Sequence, residues 1–381
     1  MKGCLKTLGL LFSAFLFFVV LIMLIGWAVE RYYARETFSF TWDDTVENPQ
    51  PTVQHRYVQD GKHRGVSLVG RRGLEVGPLI RNNIEWIALT PFGWQEAHNS
   101  TVISTAPEAG EPWGLRDDEL EQMARTAKQQ GLRVFLKPHL WLTRSGKWRS
   151  EIEMDDEAAW HRWFQSYRAF LLHYALLAER LGLDMLSVGT ELQRATALRE
   201  ADWRALIDEV RQVYHGKLTY AANWNDEFEA VAFWDALDYI GIQAYFPLTD
   251  RRTPSVDTLR HGWIPHVRAL EQVSQRYDRP VLFTEIGYKS TTDSATEPWR
   301  WGGLMNGWFQ QVSVQTQVHC YQAFFEMFWE KSWFAGAYLW QWHARHGAAG
   351  GPSSRGFTPQ NKATQNVVAT WYGARPMVNR N

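Results

Sequence analysis

Two glutamates end apolar runs with the length and composition of buried strands. They are Glu191 in Ser187-Val-Gly-Thr-Glu-Leu192 and Glu285 in Val281-Leu-Phe-Thr-Glu-Ile-Gly-Tyr288. The second run lies between Arg279-Pro280 and Gly287, the punctuation of a short, fully buried parallel strand. A carboxylate at such a strand end is costly unless something pairs with it or uses it. Either residue alone reads equally well as a structural acid held by a lysine or arginine. Together, in a chain rich in tryptophan, they fit chemistry on a sugar. One carboxylic acid protonates the leaving oxygen while a carboxylate attacks, or activates water at, the anomeric carbon.

Such a pair needs a scaffold that brings distant residues to one rim. From Arg64 onward the chain repeats a short apolar strand, a loop and an amphipathic helix. Strands are predicted over Gly65–Val69, Glu85–Leu89, Arg133–Lys137, Met185–Gly189, Leu218–Ala222, Tyr239–Ala244, Val281–Thr284 and Gly336–Trp340. Helices are predicted over Asp117–Gln130, Asp156–Leu181, Glu200–Tyr214, Val256–Tyr277 and Gln315–Lys331. In the third helix Trp203, Leu206, Ile207, Val210 and Val213 recur at helical spacing. Gly131, Gly182 and Gly216 stand where a C-terminal glycine belongs. Eight strand–helix units imply an α/β fold, a single closed (β/α)8 TIM barrel. An open doubly wound sheet is the alternative. It would bring a glycine-rich phosphate loop after its first strand, and Gly65-Val-Ser-Leu-Val-Gly70 lacks that pattern.

In a barrel the chemistry sits at the C-terminal ends of the strands. The long loops fall there: 92–116 after the second strand, 143–155 after the third, 286–314 after the seventh and 344–362 after the eighth. The seventh carries Trp299, Trp301 and Trp308. The fourth and seventh strands face one another across the mouth, so Glu191 and Glu285 can share one cleft.

The chain has 381 residues, room for one large domain or two ordinary ones. Lys plus Arg number 40 and Asp plus Glu 41, a formal net charge of -1, so electrostatics gives no reason to expect nucleic acid as a partner. Trp numbers 21, more than a core needs. The surplus supplies flat apolar platforms suited to sugar rings, and the near-zero charge argues against bases. Of the two cysteines, Cys4 precedes the N-terminal apolar segment and Cys320 lies far beyond it, so no disulfide is expected. His343-Ala-Arg-His346 pairs two histidines without an acidic or thiol partner and reads as loop rather than metal site. No metal or cofactor is expected. Asn99-Ser-Thr101 fits a glycosylation pattern that has meaning only in a eukaryotic secretory context.

Leu8–Val29 carries no charge. At about 1.5 Å per residue it covers about 33 Å, enough to cross a bilayer core. Lys2 and Lys6 precede it, and Trp27, Tyr32 and Tyr33 follow as an interfacial belt would. A cleaved signal peptide is the alternative, with Gly26-Trp27-Ala28 as its site, but the run is longer than the usual apolar region. The organisation expected is a short cytoplasmic N-terminus over residues 1–7, a transmembrane signal-anchor helix over 8–29, a polar tether and lead-in over 30–63, and the barrel over 64–381. A short strand is expected near Thr37–Trp42. This order places the barrel on the periplasmic or extracellular side, with the membrane as a partner through the helix.

The chain resembles clan A glycoside hydrolases, and most of all glycoside hydrolase family 113, whose characterised members are endo-β-1,4-mannanases. The resemblance rests on Leu136-Lys-Pro-His139 with Trp141, Gly189-Thr-Glu-Leu192, Asp238-Tyr-Ile-Gly-Ile-Gln-Ala-Tyr245, Thr284-Glu-Ile-Gly-Tyr288, Trp340-Gln-Trp342 and Gly356-Phe-Thr-Pro359. It runs from about Arg64 to the C-terminus. It implies a retaining mechanism with Glu191 as acid/base and Glu285 as nucleophile. Most clan A enzymes carry asparagine before the acid/base; here that position is Thr190, a feature shared with family 113.

A retaining pair stands about 5–5.5 Å apart, against about 6.5–9.5 Å for an inverting one. Glu285 then needs hydrogen-bond donors, and Tyr245 on the neighbouring strand is the candidate. Glu191 must keep its proton near neutrality, which calls for partial desolvation and the Glu285 charge nearby. Trp340 can floor the subsite at the cleavage point or belong to the barrel core. Trp94, Trp141, Trp224 and Trp342 can line the cleft, and about half of them are expected in the core instead. Lys137 and His139 can bind hydroxyls, or Lys137 can pair with a structural carboxylate. Asn223 and Gln243 are hydroxyl partners or supports. The expected substrate is a β-linked polysaccharide or oligosaccharide, with β-mannan favoured. Another β-glycan, a self-made exopolysaccharide, or a non-catalytic sugar-binding barrel in an envelope assembly are the alternatives.

Overall fold

The computed structural model describes residues 2–37, 52–70, 73–105, 115–300 and 310–373. Eight parallel strands close into a barrel. They are β1 (His63–Val69), β2 (Trp86–Leu89), β3 (Arg133–Leu136), β4 (Met185–Thr190), β5 (Lys217–Asn223), β6 (Tyr239–Gln243), β7 (Val281–Ile286) and β8 (Phe334–His343). Each strand pairs with its neighbours in chain order, and β1 pairs with β8 to shut the ring, from His63 opposite Gly336 to Val69 opposite His343. All eight predicted strands are present, shifted by a few residues at their ends. Closure excludes the open sheet.

Helices Asp117–Gln129, Glu157–Leu181, Glu200–Val213, Val256–Tyr277 and Val314–Phe328 wrap the barrel. Outward strand residues such as Ile87, Val134, Val188 and Ile240 pack against helix residues such as Leu120, Trp203, Leu206 and Val210 in one buried cluster. Burial of each such side chain contributes roughly 1.5–3 kcal/mol. The alternating residues Trp86, Ala88, Phe135, Met185, Tyr239, Leu282 and Tyr338 form a second buried cluster, with the parity that fills a small barrel's interior.

Gly182 ends its helix in the left-handed conformation (φ 60°), as its place in the sequence predicts. Gly216 does not. The Glu200–Val213 helix ends on extended Tyr214, and Gly216 is glycine for space, since a Cβ there would strike the Tyr214 ring. The Val256–Tyr277 helix ends on Asp278 in the left-handed region (φ 51°).

The lead-in before β1 does more than tether. The Tyr57–Asp60 turn of helix lies against the strand N-termini. The Tyr57 hydroxyl lies 3.1 Å from that of Tyr239, and the Arg133 guanidinium stacks 4.9 Å from the Tyr57 ring centroid. Glu85 accepts the Arg56 and Tyr57 amides at 2.8 and 3.0 Å. This plugs the N-terminal end of the barrel, so access is left to the other end.

The closing seam is stitched by the last described helix, Ala363–Gly373. The Tyr372 hydroxyl donates to the carbonyls of Gly65 on β1 and Ala337 on β8, at 3.0 and 3.2 Å. Buried Arg64 donates from Nε to the Tyr372 carbonyl at 2.8 Å.

Two segments inside the predicted 92–116 loop, Phe92–Gln95 and Ile103–Ser104, are strands. Phe92–Gln95 pairs with His139–Leu142 in parallel and with Ile103–Ser104 antiparallel, making a small sheet above the rim. The chain therefore continues past β2 and β3 after a break at Pro91 and Pro138.

At the N-terminus a single helix covers Lys2–Thr37. Its run Leu11–Ala28 is long and apolar enough to cross a membrane, and none of it is buried. A signal sequence has the same character. The expected strand near Thr37–Trp42 meets this helix at Thr37, and the rest of it lies outside the described residues.

Candidate active site

β4 and β7 end irregularly. The β4–β5 register slips between Ser187 and Thr190, and the β6–β7 register slips between Phe283 and Glu285. Such slips re-aim side chains at a barrel rim. Glu191 follows β4 with φ 53°, a left-handed conformation that costs a non-glycine residue of order 1–3 kcal/mol unless its surroundings fix it. The motif glycines serve close packing. A Cβ on Gly189 would lie 2.8 Å from the Tyr220 ring, and one on Gly287 would lie 2.6 Å from the Trp340 carbonyl oxygen.

Glu191 and Glu285 are 7% and 5% exposed. Glu285 accepts on both oxygens. Lys137 Nζ donates to Oε1 in a buried ion pair, and Tyr245 Oη donates to Oε2 at 2.8 Å. Lys137 is itself held by the Thr284 carbonyl at 3.2 Å and by Gln243 Oε1 at 3.3 Å. Gln243 Oε1 also accepts from the Thr284 hydroxyl at 3.0 Å. Burial pushes the Lys137 ammonium below its ordinary value, against the opposing pull of the Glu285 charge. Burial likewise places the Tyr245 hydroxyl well above the usual phenol range, so it remains a donor.

Glu191 is held differently. Trp148 Nε1 donates to its Oε2 at 2.8 Å, and Arg149 Nη1 lies 3.6 Å from the same oxygen. Burial is the largest influence and raises its pKa. The Arg149 charge opposes that, and the negative charge of Glu285 adds to it. The two carboxylates are thus close enough to feel one another, and their environments differ. One accepts an ammonium and a phenol; the other is pushed toward its protonated form. That is the asymmetry expected of an acid working beside a nucleophile.

His139 lies beside this pair. Its Nδ1 is 3.0 Å from Arg149 Nη1, a guanidinium that can only donate, so Nδ1 accepts and the proton sits on Nε2. Burial and the Arg149 and Lys137 charges hold His139 well below the usual histidine pKa, so it is neutral.

The predicted aromatics divide. Trp340 is half-buried within β8, before a cis peptide bond to Gln341. Trp141 is half-buried, edge-on to Trp148 at 6.0 Å. Trp224 is half-buried and stacks on Trp299 at 4.8 Å. Trp342 is 1% exposed and packs in the core, tilted against His346, because the β1–β8 register slips between Leu339 and Trp342 and leaves both facing outward among the helices. It does not line the cleft. Trp94 is also largely buried; it borders a concavity of about 550 Å³ with Asn99, Thr101 and Thr143, which neither glutamate lines. The Asn223 side chain folds back to accept the Trp224 amide at 3.0 Å. Trp301 and Trp308 lie outside the described residues.

Trp148 and Arg149 escape sequence reasoning. They sit in a polar loop without periodicity, and their chain distance from Glu191 hides the contact. The available signal was a lone Trp–Arg pair inside a long loop after a barrel strand. No cluster of histidine, cysteine or acidic residues among the described residues could hold a metal ion.

The profile of Glycoside Hydrolase Family 113 matches residues 73–362. Among solved structures, the chain is similar to a GH113 β-1,4-mannanase at 28% identity and a TM-score of 0.70, over 82% of this chain and 99% of that one. It is similar to the GH113 β-mannanase AaManA from Alicyclobacillus acidocaldarius, solved in complex with ManMIm, at 30% identity and a TM-score of 0.69, over 82% and 97% of the two chains. A β-glucuronidase from Ruminococcus gnavus shares the fold alone, at 12% identity and a TM-score of 0.54, over 82% of this chain and 50% of that one. No curated protein sequence matches the chain.

Proposed function

The chain belongs to glycoside hydrolase family 113, and from that premise we propose a retaining β-glycosidase that uses Glu285 as nucleophile and Glu191 as acid/base, with β-mannan as substrate. The observation that carries the proposal is the asymmetry of the two buried carboxylates. Glu285 faces an ammonium and a phenol, which orient it for attack on the anomeric carbon. Glu191 is raised by burial and by the Glu285 charge, which keeps a proton available for the leaving oxygen. After attack the Glu285 charge is consumed in an ester. Glu191 then loses one cause of its raised pKa and can take a proton from water, which opens the ester. The half-buried Trp340, Trp141 and Trp224 supply sugar platforms in this reading, with His139 as a hydroxyl partner.

The proposal includes a place of action: the N-terminal helix anchors the barrel on the extracytoplasmic side of a membrane. One experiment tests substrate and place. The full chain is expressed, membranes are washed and solubilised in detergent, and product release is followed on a panel of β-linked glycans. Activity on β-mannan from the detergent extract is expected. Release from another β-glycan alone reassigns the substrate, and activity in the soluble fraction removes the anchor. Binding without turnover of any glycan sinks the enzymatic reading of this site.

A pH prediction follows from Arg149. Its charge favours the ionised form of Glu191 and so lowers a pKa that burial raises above the ordinary 4.5. Arg149→Met removes that influence, and Glu191 holds its proton to higher pH. The alkaline limb of kcat/KM is expected to move upward. A limb at the wild-type position would detach Arg149 from the titration.

A further inference from the structure

A third carboxylate is buried beneath the rim. Glu227 opens the short helix Glu227–Ala230 after β5 and is fully buried. No cation pairs with it among the described residues. Its Oε1 accepts from the Tyr220 hydroxyl at 2.5 Å, and its Oε2 accepts the Asn223 amide at 2.7 Å. The Tyr220 hydroxyl has a second contact: it accepts the backbone N–H of Leu192 at 2.6 Å. Leu192 is the residue after Glu191. Glu191 itself sits in the left-handed region, with its own N–H on the Ala221 carbonyl at 2.9 Å.

The hydrogen-bond directions form a chain. A phenol that accepts from a backbone amide still has one proton to place, and only the Glu227 oxygen is there to take it. Glu227 therefore fixes the rotation of the Tyr220 hydroxyl, and that hydroxyl fixes the peptide unit leaving Glu191. The Tyr220 ring lies against Gly189, two residues before Glu191, so the same side chain touches both flanks of the turn. Burial alone would favour an apolar residue at 227. An unpaired buried acid persists where its hydrogen bonds position something.

We propose that Glu227 and Tyr220 are positioning residues for the acid/base: the relay Leu192 N–H to Tyr220 Oη–H to Glu227 holds the strained turn that aims the Glu191 carboxyl at the leaving oxygen. This inference rests on the reading of Glu191 as acid/base. Neither residue touches substrate. Their effect falls on proton delivery in the first step and spares attack by Glu285.

Leaving-group dependence separates that role from a general structural one. The probes are dinitrophenyl β-mannobioside, whose leaving group departs without a proton, and phenyl β-mannobioside, whose leaving group needs one. The enzymes are the wild type, Glu191→Ala, Tyr220→Phe and Glu227→Gln, each as the full chain in detergent. The ratio of kcat/KM for the two probes is the readout, because the fraction of folded enzyme cancels in it. Tyr220→Phe is expected to lose about 10- to 100-fold on the phenyl glycoside and less than about threefold on the dinitrophenyl one, the size expected when a general acid is misplaced rather than removed. Glu227→Gln, which keeps an acceptor for the Tyr220 proton, is expected to fall between Tyr220→Phe and the wild type. Equal losses on both probes, or no loss on either, overturn the relay. If the wild type cleaves neither mannobioside, the two leaving groups are moved to the sugar that the glycan panel identifies; if Glu191→Ala then shows no split between them, the reading of Glu191 fails first and the relay with it.

Discussion

Glu285→Ala is expected to lower turnover of the preferred glycan by at least about 10⁴-fold, some 5.5 kcal/mol of transition-state stabilisation. Removing a nucleophile closes the covalent route rather than weakening it. The void left is bordered by the Lys137 ammonium and the Tyr245 hydroxyl, which now lack the carboxylate they held. That void suits a small anion. Added azide is therefore expected to restore turnover. Its direct attack from the nucleophile's face inverts the anomeric centre and yields an α-glycosyl azide. Proton NMR of the product reads the configuration. Full activity without azide, or a β-azide product, gives the nucleophile's role to another residue.

The Glu191→Ala result is expected to be the mirror image. The loss should be about 10²- to 10⁴-fold on substrates whose leaving group needs a proton, the range of general acid catalysis. The glycosyl ester on Glu285 still forms from activated substrates. Azide then attacks that ester, and two inversions return a β-glycosyl azide. Opposite anomers from the two variants would divide the roles between the carboxylates more sharply than either rate. The alkaline limb should also disappear from the Glu191→Ala profile, since the titrating group is gone.

The fold is legible in the sequence because a parallel barrel writes its strands plainly. A strand buried on both faces must be apolar throughout, so runs such as Val281–Phe283 stand out between polar helices. Helix ends marked by Gly182 obey local backbone chemistry. Gly216 shows the limit, since a glycine can be required by a neighbouring ring rather than by its own φ. The small sheet above the rim was hidden by Pro91 and Pro138, which read as strand ends although the chain resumes beyond them.

The site is legible only where it is tied to strand ends. Glu191, Glu285, Lys137, Gln243 and Tyr245 all sit within a residue or two of one, so the barrel brings them to the same rim. Trp148 and Arg149 reach Glu191 from a loop whose course depends on the small sheet. Tyr220 and Glu227 act through a backbone amide, and no residue pattern announces such a contact. Trp342 failed as a cleft residue because the β1–β8 register slips between Leu339 and Trp342, so simple alternation from Trp340 gives the wrong face.

The seam between β1 and β8 has a consequence for biogenesis. The first strand of the domain finds its second partner only when the last strand has been made, and the stitches from Tyr372 arrive later still. A growing chain can pack its intermediate strands and helices, but the ring stays unclosed until β8 has been synthesised. Loss of the Ala363–Gly373 helix should then leave Glu191 and Glu285 on their strand ends in a ring whose seam is unstitched.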